Sequence, residues 1–422
     1  MFISDYVLNG TGHGEVGRMM EQVRFEPGLM RPYLVTVNGR NIPCVTINAL
    51  NGEQKFNPKT KTFEPVRKQY ALEQLAARNI YSPVANATSL RKEEWLLLDQ
   101  KLILAARYRL QAWADLAKRN PFGGFNGMSK TILERETVND PGEAFVDMDA
   151  LSETRGDSPK YQLEGLPLPI THGGFRFSSR RLAESRNSGT PLDLSLGEAT
   201  SRRCAETVEK TTIGIQTGIT YGGNSTQVGG YGRTSSVYGY TNFSSRLTRT
   251  GLYKPTGNGR SGTGWVPADT LKDVLACLDQ LKAQKFYGPW MLYHSNDWDQ
   301  YMDNDYILTG GNVATQTLRE RLKAIKGIED VVRLDMLFSS TPSSSTGPGG
   351  ENLATTYPFV LLFVQMTPDV AQAVTGMDMT TIQWENKGGL ELNFKVMCIM
   401  VPRLGADYYG NCGILHATAD HA

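Results

Sequence analysis

TPLDLSLGEATSRRCAETVEKTTIGIQT, residues 190–217, reads as one long helix, and its start is the best marked in the chain. Thr190 supplies an N-cap hydroxyl, Pro191 stands at the first helical position, and Asp193 lies three residues past the cap. Leu192, Leu196, Ala199, Arg203, Cys204, Val208 and Ile215 run along one side, while Glu198, Arg202, Glu206, Glu209 and Lys210 run along the other.

Upstream, residues 91–119 predict a second helix, with Trp95, Leu98, Leu102, Ala105, Ala106, Arg109, Leu110 and Trp113 on one face. Ser89 with Lys92-Glu93 marks its start, and Pro121 with Gly123-Gly124 ends it. Residues 125–170 lack helical periodicity and contain Asp140-Pro141-Gly142, which predicts a long extended loop or β-ribbon. Residues 175–182 predict a short strand. Residues 1–90 are polar and irregular, with strand-like runs at Tyr33–Val37 and Val45–Ile47, and Asn38-Gly39 is a hairpin signal between them.

Downstream, residues 218–264 are rich in Gly, Ser, Thr and Tyr, which predicts an extended segment packed on neighbours. Leu271, Val274, Leu275, Leu278 and Leu281 make residues 267–284 an amphipathic helix stopped by Gly288-Pro289. A strand at Trp290–Tyr293, a helix carrying Leu318, Leu322 and Ile325 ahead of Gly327, and a buried strand at Phe359–Val364 complete a small α/β unit. Residues 381–402 predict a hairpin turning at Asn386–Gly389, with Leu390, Leu392, Phe394 and Val396 facing a core.

The bulk composition narrows the function classes. Of the 422 residues, 40% are hydrophobic and 21% charged, enough for a sizeable core. Lys plus Arg is 44 against 43 for Asp plus Glu, a balance unlike that of a dedicated nucleic-acid binder. Cys44, Cys204, Cys277, Cys398 and Cys412 form no C-x-x-C pair and read as reduced, buried thiols. Neither a signal peptide nor an apolar run of membrane-spanning length is visible.

The chemical motifs are weak. Gly257-x-Gly259-x-x-Gly262 matches the dinucleotide fingerprint as a bare pattern but follows no strand. Asp297, Asp299, Asp303 and Asp305 have carboxylate spacing that could suit calcium, yet lack the sharp-turn glycine and closing glutamate. His13, His172, His294, His416 and His421 are scattered with no nucleophile elbow or metalloprotease motif. No catalytic residue, cofactor or metal site is expected.

The series of parts resembles a known family. A Trp/Leu-rich helix ends in Asn120-Pro121-Phe122-Gly123-Gly124; then come Leu166–Ile170, Phe175-Arg176-Phe177, Arg180-Arg181-Leu182, Gly189–Asp193 and, later, Lys285–Trp290. This order is similar to that of the HK97-like shell proteins, which include tailed-bacteriophage major capsid proteins and encapsulins, over about residues 91–420. The resemblance implies an α+β fold with an N-terminal arm (1–90), a helix region (91–124), an E-loop (125–172), a peripheral domain (173–264) with a spine helix (190–217), an axial domain (265–375) and a C-terminal hairpin (376–422) returning to the peripheral domain. The implied function is structural and not enzymatic: hexamers and pentamers closing into an icosahedral phage head around double-stranded DNA, without sequence specificity and without a membrane. Scaffolding, portal and decoration proteins are implied partners, and assembly in the bacterial host cytoplasm is implied. An encapsulin-type compartment holding a cargo enzyme is the alternative; an α/β enzyme or binding protein is a third reading.

Compared with encapsulins the chain carries about 90 extra N-terminal residues and the Gly-rich insertion, both suited to a larger head. Because Met1 is present, no cleaved N-terminal scaffolding segment is expected. Some shells of this fold cross-link Lys to Asn, but no motif here selects such a pair. Arg176, Arg180, Arg181 and Arg186 form a basic run before the spine helix: it reads as a solvated strand edge, as a direct DNA contact or, the favoured expectation, as ion pairing across subunits with acidic E-loop residues such as Glu134, Glu136 or Asp147, since the planar Arg fork pairs bidentately with carboxylates.

Overall fold

The computed structural model describes residues 31–37, 40–57, 62–77, 90, 92–107, 110–138, 148, 160–188, 194–215, 220–221, 224–225, 237–262, 264–307, 313–337, 359–386 and 390–419. In chain order its main elements begin with β1 (Tyr33–Val37), β2 (Arg40–Asn48) and β3 (Arg67–Ala71), followed by α1 (Lys92–Arg107) and α2 (Ala112–Arg119). Next come β4 (Ile132–Val138), β5 (Tyr161–Pro167), β6 (Thr171–Ser178), α3 (Ser179–Ser188) and α4 (Ser195–Ile213). The chain continues with β7 (Leu247–Arg249), α5 (Pro267–Ala283), β8 (Trp290–His294), α6 (Leu318–Lys323) and β9 (Ile328–Arg333). It ends with β10 (Val360–Gln365), β11 (Ala371–Asn386), β12 (Glu391–Leu404) and β13 (Ile414–Thr418). The expected α+β class is the class found.

Two sheets organise the body. The first has five strands in the order β7-β13-β10-β8-β9. Its strands alternate between two cores, as the period of two requires. Leu292, Leu361, Phe363, Leu415 and Ala417 meet Val274, Cys277, Leu278 and Leu281 of α5. Met291, Tyr293, Val360, Leu362, Val364 and Ile414 meet Trp113 and Leu116 of α2, Val208 of α4, and Tyr240. The second sheet is the long β11–β12 hairpin, flanked by β6 on one edge and the short Pro121–Phe122 strand on the other. On one face, Phe394 stacks on Phe175 with ring centroids 5.0 Å apart, in a core shared with Leu98, Leu102 and Cys204. On the other face, Met377, Met397, Ile399 and Val401 pack against Leu168 and the root of the β4–β5 ribbon.

The N-terminal arm makes a three-stranded sheet in the order β1-β2-β3, with Val37 opposite Arg40 in an antiparallel pair; the expected turn at Asn38-Gly39 lies outside the described residues. Tyr33 and Cys44 dock this sheet on the α1 side of the body. Arg31 fastens the same junction: it pairs with Asp99 at 2.7 Å, donates to the Thr381 carbonyl at 2.8 Å and lies over the Trp95 ring.

Several expectations change. The helix expected over 91–119 is two helices, because the buried Glu209 carboxylate caps a fresh N-terminus at Ala112 and Trp113. The spine helix expected over 190–217 spans Ser195–Ile213 in the structure, ending where Gly214 takes a left-handed φ of 105°; the proposed cap at Thr190–Asp193 lies outside the described residues. Its buried face is also rotated from the expected one: Gly197, Ser201 and Glu209 are buried, whereas Leu196 is 53% exposed. Gly197 lies under Phe175, Leu98 and Leu102, where a larger side chain would separate the helices.

The Gly-rich stretch is not wholly an outlying segment. Tyr240, Phe243 and Leu252 enter the two cores, and β7 pairs in parallel with β13. The C-terminal strand β13 does not return with the hairpin but lies inside the five-stranded sheet, because all five of its residues are buried and need neighbours on both sides. Leu390 is 72% exposed at the end of the hairpin rather than facing the core.

Candidate assembly interface

The surfaces that leave the body are the ones with unmatched chemistry. The β4–β5 ribbon runs in strict antiparallel register from Ile132 opposite Pro167 to Val138 opposite Tyr161. At its root Leu133 and Leu166 are half-buried against the hairpin sheet, and Leu168 is buried there. At its outer end Val138, Tyr161 and Leu163 are exposed, with Tyr161 at 64%. Glu134 and Glu136 alternate along one strand. Residues 139–147, which include Asp147, lie outside the described residues.

The basic run sits on two elements. Arg176 is on β6 and pairs with Glu391 of the adjacent strand β12 at 3.0 Å, while its side chain stays 72% exposed. Arg180 and Arg181 stand in the first turn of α3, and Arg186 is in the same helix. The expected strand over 175–182 therefore ends at Ser178, and the run continues as helix. The Arg181 amide donates to the Ser178 hydroxyl at this change of conformation. Among the described side chains no ion pair joins Arg176, Arg180 or Arg181 to Glu134 or Glu136 within one chain. The structure thus brings Arg176 to Glu391 and leaves the glutamates of the ribbon on a separate element.

The weak motifs resolve into internal structure. The Gly257–Gly262 loop wraps two carboxylates of α5: Asp269 accepts from the Arg260 and Val266 amides, and Asp273 accepts from the Tyr253 amide and pairs with the Arg260 guanidinium. Gly259, at φ 65°, passes so close to Asp269 and Trp265 that a Cβ would collide. Within the loop the Arg260 amide is taken by the Asp269 carboxylate, and the Gly257 and Gly262 amides donate to the Lys254 and Gly259 carbonyls, so the motif serves as a cap on α5. Asp299 is clamped by Arg319 at 2.7 Å and Arg333 at 2.8 Å, and Arg319 also holds Asp303. Despite partial burial, those two guanidinium groups hold the Asp299 carboxyl below its usual range. Among the described residues no group of three His, Cys, Asp or Glu could hold a metal ion, and no described helix is long and apolar enough to cross a membrane.

No protein-family model matches the chain, and no curated protein matches it. Among solved structures, a virus-like particle from Pyrococcus furiosus aligns over 77% of this chain and 98% of its own, at 15% identity and a TM-score of 0.45. The capsid of Myoviridae phage XM1 aligns over 68% of this chain and 86% of its own, at 10% identity and a TM-score of 0.45. The capsid of a native GTA particle aligns over 83% and 98%, at 10% identity and a TM-score of 0.46. Likeness at this level carries no argument about function, which has to come from the chain's own surfaces.

One buried group was misplaced by sequence periodicity. Glu209 falls on the polar side of the spine helix by spacing, yet it is 2% exposed at the junction of α4, α2 and the five-stranded sheet. Its Oε1 accepts from the Ala112 amide at 2.7 Å and its Oε2 from the Trp113 amide at 3.2 Å. Burial pushes its carboxyl up to about 7 despite those bonds, and Asp115 adds to the rise. Asp115 itself is raised by burial while accepting from the Tyr293 hydroxyl at 3.2 Å. No local signal in the sequence marks this cap, because the capping carboxylate stands 97 residues away from Ala112 in the chain.

Proposed function

We propose that the chain is a shell-forming structural protein: a tailed-phage major capsid protein of the HK97-like fold, self-assembling into hexamers and pentamers of an icosahedral head around double-stranded DNA. The observation that carries this reading is the β4–β5 ribbon, whose root is sealed into the hairpin core while its outer end offers Val138, Tyr161 and Leu163 to solvent. Monomeric proteins rarely project apolar side chains on an arm, because only a neighbour can cover them. The order of arm, helices, ribbon, spine helix and α/β sheet supports the same reading. A near-neutral charge of +1 suits a wall that encloses DNA without binding it tightly. In this reading the protein resides in the virion after assembly in the host cytoplasm, and portal, scaffolding and decoration proteins are its partners.

Within the shell, Arg180 and Arg181 of one copy, together with Arg176 and Arg186, face acidic ribbon residues Glu134, Glu136 and Asp147 of the next. A ribbon-to-body contact of this kind is heterologous, joining different patches on the two copies, and closes into a ring. Many modest contacts then add up to a stable wall. The test is size-exclusion chromatography with light scattering on the purified chain and on an Arg180→Glu/Arg181→Glu variant. Megadalton particles or capsomer rings from the wild type support the proposal, and a variant that is folded but stays at the 46.7 kDa subunit mass supports the contact. Normal particles from the variant would remove the arginines from the interface.

A further inference from the structure

Helix α1 is apolar on two opposite sides. Trp95, Leu98 and Leu102 face the core with Phe175 and Cys204. On the outward side Leu96 is 52% exposed, Leu97 53%, Ile103 46% and Leu104 56%. A helix with apolar residues on both sides is stable only when both sides are covered. At about 100° per residue, positions 93, 96, 97, 100, 103, 104 and 107 share one arc of roughly 120°. Glu93 and Gln100 on that arc are exposed as well.

The order of residues on this arc is a palindrome about Gln100. Leu96 and Leu104 lie four positions to either side, Leu97 and Ile103 three, and Glu93 and Arg107 seven. Two such helices laid antiparallel about a two-fold axis at Gln100 place each aliphatic residue against an aliphatic one. Laid this way, the two helix dipoles also run antiparallel. We infer that the outward face of α1 is an isologous contact whose occupant is α1 of a second copy, running antiparallel.

The size of the stripe sets where the contact works. Four half-exposed aliphatic chains present roughly 400 Å² of apolar surface, the scale of a functional patch on a single protein. Doubled, it stays under the ~1,000 Å² that a specific standing interface needs. The pair is therefore weak alone and acts where many copies are held together. This use rests on the shell reading: ribbon contacts build rings, and a two-fold contact links one ring to the next.

Single-cysteine variants test the geometry, because all five native cysteines are buried. Under mild oxidation of the assembled protein, Gln100→Cys forms a disulfide dimer through its own copy. A mixture of Leu96→Cys and Leu104→Cys chains also cross-links. Leu96→Cys alone does not, since antiparallel pairing sets its two copies about 12 Å apart along the axis, beyond disulfide reach. No Gln100→Cys dimer in protein that otherwise forms particles would overturn the pairing; so would equal cross-linking by Leu96→Cys alone. A Gln100→Cys dimer from protein that forms no shells would leave the pairing standing and sink the shell reading. Absence of both dimer and particles would sink both.

Discussion

Replacing Glu209 by glutamine should flatten a pH dependence that the wild-type fold carries. The Glu209 carboxyl lies near 4.5 in the unfolded chain and is pushed up to about 7 in the folded one. Between those values the folded protein holds a proton that the unfolded chain has lost, so stability falls as pH rises. The contribution is fully present below about pH 4.5 and lost as pH passes through about 7. At about 1.4 kcal/mol per pH unit the loss is roughly 3 kcal/mol. The side-chain amide that Glu209→Gln introduces titrates nowhere in this range, and its oxygen can still accept from the Ala112 amide. Urea unfolding of unassembled protein at pH 5, 6, 7 and 8 gives both curves. Asp115, Arg119, Tyr240 and Tyr293 face the same site and stay in the variant, so the difference between the curves isolates Glu209. Parallel curves would refute the claim that the buried carboxylate is held against its desolvation cost.

Other substitutions read the packing. Gly239→Ala drives a Cβ into the Gly214 amide nitrogen and the Thr211 carbonyl oxygen, both backbone atoms that cannot move aside; a loss of about 3 kcal/mol is expected by denaturant titration. Phe394→Ala empties the ring cluster of Phe175, Phe177 and Trp95, and should cost about 3–5 kcal/mol in the same assay. Burial holds the thiols of Cys277, Cys398 and Cys412 near 12 and that of Cys204 near 11. A thiol reagent at pH 8 should therefore label these four only after denaturation; rapid labelling of any of them in the native protein would show that its core opens.

Local periodicity carried the elements whose partners are close or whose faces are clean. The hairpin of Leu392, Phe394 and Val396, the helix of Val274, Leu278 and Leu281, and the Tyr33–Val37 turn-back all appear where their patterns put them. What failed was set by distant contacts. Glu209 looks like a solvated charge until α2 is placed beside it, and the helix break before Ala112 exists because that carboxylate is there to cap it. Tyr240, Phe243 and Leu252 are spaced too irregularly to signal a core, yet each is the side chain that fills one. The basic run was legible as charge, but not its division between a strand-paired Arg176 and the helical Arg180 and Arg181. Periodicity picked out the inner face of α1 through Trp95, Leu98 and Leu102, while the outward stripe of Leu96, Leu97, Ile103 and Leu104 emerges only from exposure in the structure.

Electron microscopy of the chain expressed alone tests the shell reading most directly. A shell protein forms closed particles or capsomer rings in which each ribbon reaches onto the adjacent subunit, with the particle diameter separating a large head from a small compartment. A folded subunit that stays single at high concentration and in the presence of crowding agents, with Val138, Tyr161 and Leu163 still open to solvent, would contradict it.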